Sequence, residues 1–304
     1  MLLSNNKKEF YTAITNASRE TGIAEPFIEK DFYALTILKE LISRNDKFVF
    51  KGGTSLSVCQ KIINRFSEDI DISYLDETIT VGTRKRIKQA FFDSIEAASL
   101  KVSNAENIRS RRVFNRYLCP YISAFNASNP EENKVIVEWT TQTPSFPVEE
   151  KTAQTIIGKY FESINRFDLV QQYNLGAFLV KTITKERTLV DKIYAICDYH
   201  INRKLDRQSR HIYDIHQLLK YVSLNKDFLS LFLRVREYRQ KLETCLSSKD
   251  DQVVSSLLEE LIKEDTYRTD YYDKTYPLLY DQVRYEECIP SIQRIADYLK
   301  QNNL

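Results

Sequence analysis

Glycine and proline are scarce, six and seven among 304 residues, which argues against a turn-rich β architecture and for helices. Cysteine is no better placed to build a framework. Cys59, Cys119, Cys197, Cys245 and Cys288 are odd in number, lie far apart and contain no CxxC pair. The three histidines have no zinc spacing with them, so reduced cytosolic thiols are expected. No apolar run approaches the roughly 20 residues of a membrane span. The N-terminus turns polar after Met1-Leu2-Leu3, unlike a signal peptide. A cytoplasmic protein with no membrane partner is the expectation. A charge excess is missing too: the net charge is +2, so composition alone gives no argument for nucleic-acid binding.

What is present is an ordinary globular balance, 42% hydrophobic and 28% charged. The length suffices for a large core and two lobes. Nineteen tyrosines are spread along the chain and are expected to be half-buried packing residues. Apolar spacing predicts helices over residues 6–20, 26–44, 55–64 and 83–98. Strands are expected at 48–50, 69–74, 101–102, 112–124 and 134–141, with a turn at Asn129-Pro130. Ile136 and Trp139 cannot share a strict alternation, which leaves the register of the last of these strands open by one residue. After a variable stretch around 150–180, helices are expected over 186–198, 209–221, 227–246, 250–263 and 288–300. The fold class is therefore α+β: a small mixed sheet flanked by helices in residues 1–150, then a mainly helical domain over 151–304.

The most informative stretch runs from Phe50 to Ile72. An apolar strand ends at Gly52-Gly53, Thr54 and Ser55 follow as a helix begins, and the next strand carries Asp69 and Asp71. Paired glycines let the backbone approach a phosphate with no Cβ in the way, and a helix N-terminus with hydroxyl donors favours anions. Aspartates two apart on a strand leave the same face. Such hard oxygen ligands suit Mg²⁺ or Mn²⁺, which complete their shells with substrate phosphates. Taken singly, a Gly-Gly turn is most often structural and an Asp-Ile-Asp strand most often a solvated edge; their ordered combination points to phosphoryl transfer. The spacing fits neither a P-loop nor a dinucleotide fingerprint.

Lys51-Gly52-Gly53-Thr54-Ser55-Leu56 and Arg65-Phe66-Ser67-Glu68-Asp69-Ile70-Asp71-Ile72 resemble the AbiEii/AbiGii toxin family, of the DNA-polymerase-β-like nucleotidyltransferase superfamily. Glu29-Lys30-Asp31-Phe32 is similar to the opening of the family's N-terminal helix. Arg187-Thr188-Leu189-Val190-Asp191-Lys192 resembles its third motif, and Arg210-His211-Ile212-Tyr213-Asp214-Ile215 its fourth. The resemblance implies that Lys51, Gly52, Gly53, Thr54, Ser55, Arg65 and Ser67 form the nucleotide-contacting set. By the same resemblance Asp69 and Asp71 bind metal, Lys192 reaches the triphosphate, and Asp214 either orients Lys192 or acts as base. Two positions depart from the pattern. Asp191-Lys192 stands where the family usually has Glu-Lys, and Arg210-His211 where it often has Arg-Asp.

A third strand carboxylate is typical of the superfamily. Glu138 is the candidate, either as a metal ligand or paired with a strand neighbour. Arg65 either meets a phosphate or pairs with Glu68. The basic stretches Thr83–Lys88 and Arg109–Arg116 could follow an RNA backbone, with Phe114 and Tyr117 as stacking groups, or be solvated faces. His211 and His216, five apart on a helix, are read as packing or hydrogen-bonding residues near Asp214. The function implied is metal-dependent transfer of NMP from an NTP to an acceptor, in a cleft between the lobes. The 3′ end of tRNA is the leading acceptor, and a toxin–antitoxin or phage-defence role with a cognate antitoxin protein is implied. The alternatives are transfer to a protein or small molecule, such as an antibiotic, and a non-catalytic NTP-binding regulator.

Overall fold

The computed structural model describes residues 1–67, 69–125 and 133–304. Glu68 and the turn expected at Asn129-Pro130 lie outside the described residues. The chain forms two compact units, Met1–Cys59 with Ser67–Thr182, and Gln60–Phe66 with Ile183–Leu304.

The first unit begins with α1 (Lys7–Thr21). The Asn6 side chain accepts the Glu9 N–H at its start, and Gly22, at φ +72°, closes it by donating to the Ser18 carbonyl. Helix α2 (Glu25–Arg44) has proline in its first turn and buries Ile28, Phe32, Leu35, Leu38 and Leu41 at helical spacing. Then come β1 (Phe48–Lys51), α3 (Gly52–Val58), β2 (Asp69–Tyr74), α4 (Val81–Ala97), β3 (Phe114–Pro120) and β4 (Lys134–Thr140). They are followed by β5 (Val148–Ala153), α5 (Ile156–Ser163), α6 (Phe167–Gln172) and β6 (Phe178–Ile183). The sheet has six strands in the order β3-β4-β2-β1-β6-β5. It is mixed: β1 runs antiparallel to β2 and parallel to β6, and β4 runs parallel to β2 and antiparallel to β3. The α+β class read from the sequence is the one observed. In β4 the open register resolves with Val135, Val137 and Trp139 buried, which puts Ile136 and Glu138 on the opposite face.

Several expectations differ from the observed elements: the helix expected over 227–246 ends at Arg239, and the strand expected over 112–124 is Phe114–Pro120. The helix expected to reach Asn64 ends at Val58, and Lys61 turns the chain at φ +54°. Lys101-Val102 forms no strand. The variable stretch contains β5 and β6; β5 reads Val-Glu-Glu-Lys-Thr-Ala and buries only its last residue, so it offers no apolar alternation.

The Glu29–Asp31 motif makes ties inside this unit. Buried Glu29 accepts the Ser123 hydroxyl and the Ala124 N–H. Asp31 accepts the Ile156 N–H at 2.8 Å, at the start of α5. Burial pushes the Asp31 carboxyl up from 3.8 to about 6, against that hydrogen bond and nearby Lys159. Because the folded value lies above the unfolded one, the native state binds more protons between 3.8 and about 6. Stability from this group therefore falls as pH rises through that window and stays reduced above it. Asp31→Asn is expected to remove this dependence and to raise stability at neutral pH by about 3 kcal/mol. Urea unfolding of both chains across the window checks the sign.

The second unit is helical: α7 (Lys185–Ile201), α8 (Arg210–Leu218), α9 (Lys226–Arg239), α10 (Val254–Lys263) and the C-terminal helix Tyr285–Gln301. Thr184 caps α7 by accepting the Arg187 N–H, and Asn225 caps α9 by accepting that of Phe228. Helix α7 is the hub, packing on α8, α9 and α10. Tyr194, Tyr213, Tyr267, Tyr271 and Tyr285 are fully buried, more deeply than the half-buried role expected of tyrosines. The segment Gln60–Phe66 belongs here, bridging at Arg65 to Leu279, while the Asn64 N–H donates to the Tyr213 hydroxyl. All five cysteines are free and buried. Among the described residues no helix is long and apolar enough to cross a membrane.

Candidate active site

The chemistry of the first unit is concentrated in one row of its sheet. Lys51 on β1 is in register with Asp71 on β2, Asp71 with Glu138 on β4, and Glu138 with Arg116 on β3. Residues in register share a face, so four strands present the charge order plus, minus, minus, plus. Asp69 lies two residues from Asp71, on the same face, while Ile70 and Ile72 point into the core. Like charges directly opposed on neighbouring strands destabilise a sheet. Arg116 offsets part of this: its Nε lies 2.7 Å from Glu138 Oε1. Burial opposes the Arg116 charge, but Glu138, Asp69 and Asp71 together hold it protonated. Of the two readings given for Glu138, the pairing with a strand neighbour is the one observed, through Arg116, and its register places it beside Asp71. Carboxylate oxygens on one face are donors of the kind that Mg²⁺ or Mn²⁺ takes.

The glycine turn is built around this carboxylate. Gly52 has φ +76°, and a Cβ there would lie 1.9 Å from Asp71 Oδ2 and 2.8 Å from its Cγ. The absence of a side chain is what lets β1 turn into α3 beside the Asp71 carboxylate. Thr54 ties the same elements together, its hydroxyl donating to the Asp69 carbonyl at 2.5 Å. That hydroxyl hydrogen fixes β2 and is therefore engaged with the backbone. Ser55 is buried, and its Oγ has no hydrogen-bond partner among the described residues. Gly53 is also buried in the first turn of α3, and Ser67 is half-buried just before β2.

Arg65, Lys192 and Asp214 come together in the second unit. Asp214 is fully buried and receives a two-pronged contact from Arg65, Nε at 2.7 Å and the second guanidinium nitrogen at 2.8 Å. Lys192 Nζ lies 2.6 Å from its Oδ2. Burial alone would raise the Asp214 carboxyl, but Arg65 and then Lys192 overcome it and hold it well below the usual carboxylate range. Burial draws Lys192 below an ordinary lysine, with Asp214 opposing. Asp191 is held by Arg187 at 3.1 Å, one turn away on α7. His211 stacks on Tyr199 and, through burial and then Lys192, sits well below an ordinary histidine. His216 Nδ1 lies 2.8 Å from the Ser291 hydroxyl. His211 is thus a packing residue and His216 a hydrogen-bonding one.

The basic stretches divide. Arg109, Arg111, Arg112 and Arg116 are exposed, as is Phe114 at 38%. Lys88 is drawn to the Ile108 carbonyl and the Phe92 ring. Tyr117 corrects the stacking expectation: strand alternation turns it inward, where it is buried and stacks on Phe91. Sequence reasoning missed Arg116 as the neighbour of the carboxylates, since only strand register brings it there.

A mixed sheet carrying three carboxylates beside a glycine turn is the architecture of a nucleotidyltransferase. Residues 36–290 match the family described as nucleotidyl transferase AbiEii toxin of the type IV toxin–antitoxin systems, and the chain belongs to that family. It is a nucleotidyltransferase toxin of this type, and membership implies an NTP substrate and a cognate antitoxin. The structure is similar in fold to MenT4, a nucleotidyltransferase toxin from Mycobacterium tuberculosis H37Rv, with a TM-score of 0.62 and 16% identity. That likeness covers 94% of this chain and 89% of MenT4. Comparison with curated proteins gives no match.

Proposed function

We propose that the protein transfers NMP from an NTP to a hydroxyl of an RNA acceptor, with the 3′ end of tRNA first among the candidates. The observation that carries this reading is the alignment of Asp69, Asp71 and Glu138 on one face of β2 and β4. When a divalent ion is bound by them, it supplies charge neutralisation at the reacting phosphate. The chain's own part is to hold these carboxylates in place: Gly52 leaves room for Asp71, Thr54 anchors β2, and Arg116 fixes Glu138. The acceptor hydroxyl loses its proton to solvent as its oxygen forms a bond to the α-phosphorus; the bond to the β-phosphate oxygen breaks and pyrophosphate leaves. Lys192 is the phosphate-directed cation of this reading. Asp214 orients it and is not the base, because a carboxylate held so acidic takes up a proton poorly at neutral pH.

RNA is favoured as acceptor by the exposed Arg109, Arg111, Arg112 and Arg116, with Phe114 on the same face of β3 as Arg116. Incubation of the full chain with each labelled NTP, Mg²⁺ and total RNA tests the proposal. Label is expected in RNA of tRNA size, removable by 3′ digestion, and absent when EDTA is added. Label in protein alone would remove the RNA acceptor. Bound NTP with no label transferred anywhere would reduce the site to a sensor.

A further inference from the structure

We propose that His200, Glu260 and Glu264 form a binding site for one divalent transition-metal ion, Zn²⁺ by the chemistry of its donors, which fastens α7 to the end of α10. His200 lies in the last turn of α7 and is 2% exposed. Neither of its ring nitrogens has a hydrogen-bond partner among the described residues. Neutral imidazole carries one N–H and one lone pair; buried nitrogens normally have partners, and an ion at Nε2 would engage the lone pair there with the proton on Nδ1.

The ring is aimed at carboxylates. Nε2 lies 3.7 Å from Glu260 Oε1 and 3.9 Å from Glu264 Oε2, and the three donor atoms lie within 4.8 Å of one another. Those separations are too long for hydrogen bonds. They are close to the spacing of ligands around a shared ion: metal–donor bonds of about 2.1 Å in a tetrahedron put neighbouring donors about 3.4 Å apart. Glu260 and Glu264 are one helical turn apart and so leave the same side of α10 and its cap. The Thr266 hydroxyl, at 3.2 Å, orients Glu264 Oε2. One imidazole and two carboxylates select Zn²⁺ over Mg²⁺, which takes oxygen ligands and gives up water reluctantly.

Arg203 is the competing cation. Its guanidinium reaches Glu264 at 2.8 Å and Glu260 at 3.8 Å, but its side chain is 58% exposed and can swing into solvent. In the absence of an ion it neutralises the pair; metal binding displaces it. All four residues belong to the second unit, so the site is separate from the carboxylates of β2 and β4.

The test is calorimetric titration of the metal-stripped full chain with ZnCl₂, and separately with MgCl₂, alongside thermal melts. The native chain is expected to bind one Zn²⁺ that is lost in Glu260→Gln/Glu264→Gln, with affinity falling more than about 100-fold, and retained in Asp71→Asn. Zn²⁺ should raise the melting temperature of the native chain and leave that of the double variant unmoved. His200→Gln should also lose the ion; the double variant changes only surface groups and keeps the test decisive if His200→Gln folds poorly. Arg203→Ala should bind Zn²⁺ more tightly, by about tenfold, because the competing charge is gone. No saturable Zn²⁺ binding, or binding that the double variant leaves intact, would overturn the site.

Discussion

Gly52→Ala is expected to disable nucleotidyl transfer as completely as Asp71→Asn. The added methyl would sit 1.9 Å from Asp71 Oδ2, far inside van der Waals contact, and the backbone there is at φ +76°. One of two things must move. If the carboxylate moves, the donor set of β2 loses its geometry, and a displacement of about 1 Å at a reacting centre costs about 10²-fold in rate. If the turn moves, α3 and its hydrogen bond from Thr54 to the Asp69 carbonyl move with it. The strained backbone itself adds a stability cost of about 1–3 kcal/mol. Asp71→Asn removes the charge and keeps the shape, so its melting temperature should stay close to native while transfer falls by at least about 10²-fold. Label transfer, measured beside thermal melting for both variants, separates lost chemistry from lost fold. Native-like transfer in Asp71→Asn would show that the Asp71 carboxylate has no part in the reaction, and in Gly52→Ala that the turn yields without disturbing it.

How much of this was legible in the sequence depends on how far apart the partners lie along the chain. Asp69 and Asp71 were readable because the period of a strand is local: two residues apart means one face. The role of Gly52 was readable in kind, as a turn without a Cβ, though its contact with Asp71 depends on β1 and β2 pairing antiparallel. Glu138 and Arg116 become neighbours of the aspartates only through long-range register, Asp71 with Glu138 and Glu138 with Arg116. No spacing rule encodes that, which is why Glu138 stood open between two roles and Arg116 was read only as surface. Tyr117 shows the converse: one residue on from Arg116, it faces the core, and a motif read as a linear basic patch ignores that alternation. Strand β5 was missed because an edge strand of charged residues has no apolar signal. The His200 cluster had no signal either, since Glu260 and Glu264 at helical spacing look like an ordinary solvated face.

Asp214→Asn is expected to unfold the second unit more readily, by about 3–5 kcal/mol, and this loss is larger than any catalytic role as a base would produce. Asp214 is in contact with both Arg65 and Lys192, and all three side chains are at least nine-tenths buried. Removing its charge takes a buried counter-charge away from Arg65 and Lys192 together, and breaking a buried pair by removing one partner is costly. The pH dependence has a definite sign. The folded carboxyl lies below the unfolded value of 3.8, so its stabilisation is fully present above that pH and is lost as the pH falls below it. The native chain should therefore lose stability steeply on acidification beneath 3.8, and Asp214→Asn should start lower and fall less steeply. Lys192→Met offers the contrast: it leaves Arg65 and Asp214 as a balanced two-pronged pair, so its stability cost should be well under that of Asp214→Asn. Urea unfolding of the three chains, at neutral pH and along an acid series, reads all of this directly. If Asp214→Asn instead keeps native stability while transfer collapses, the carboxylate acts on the substrate and not on its two cations.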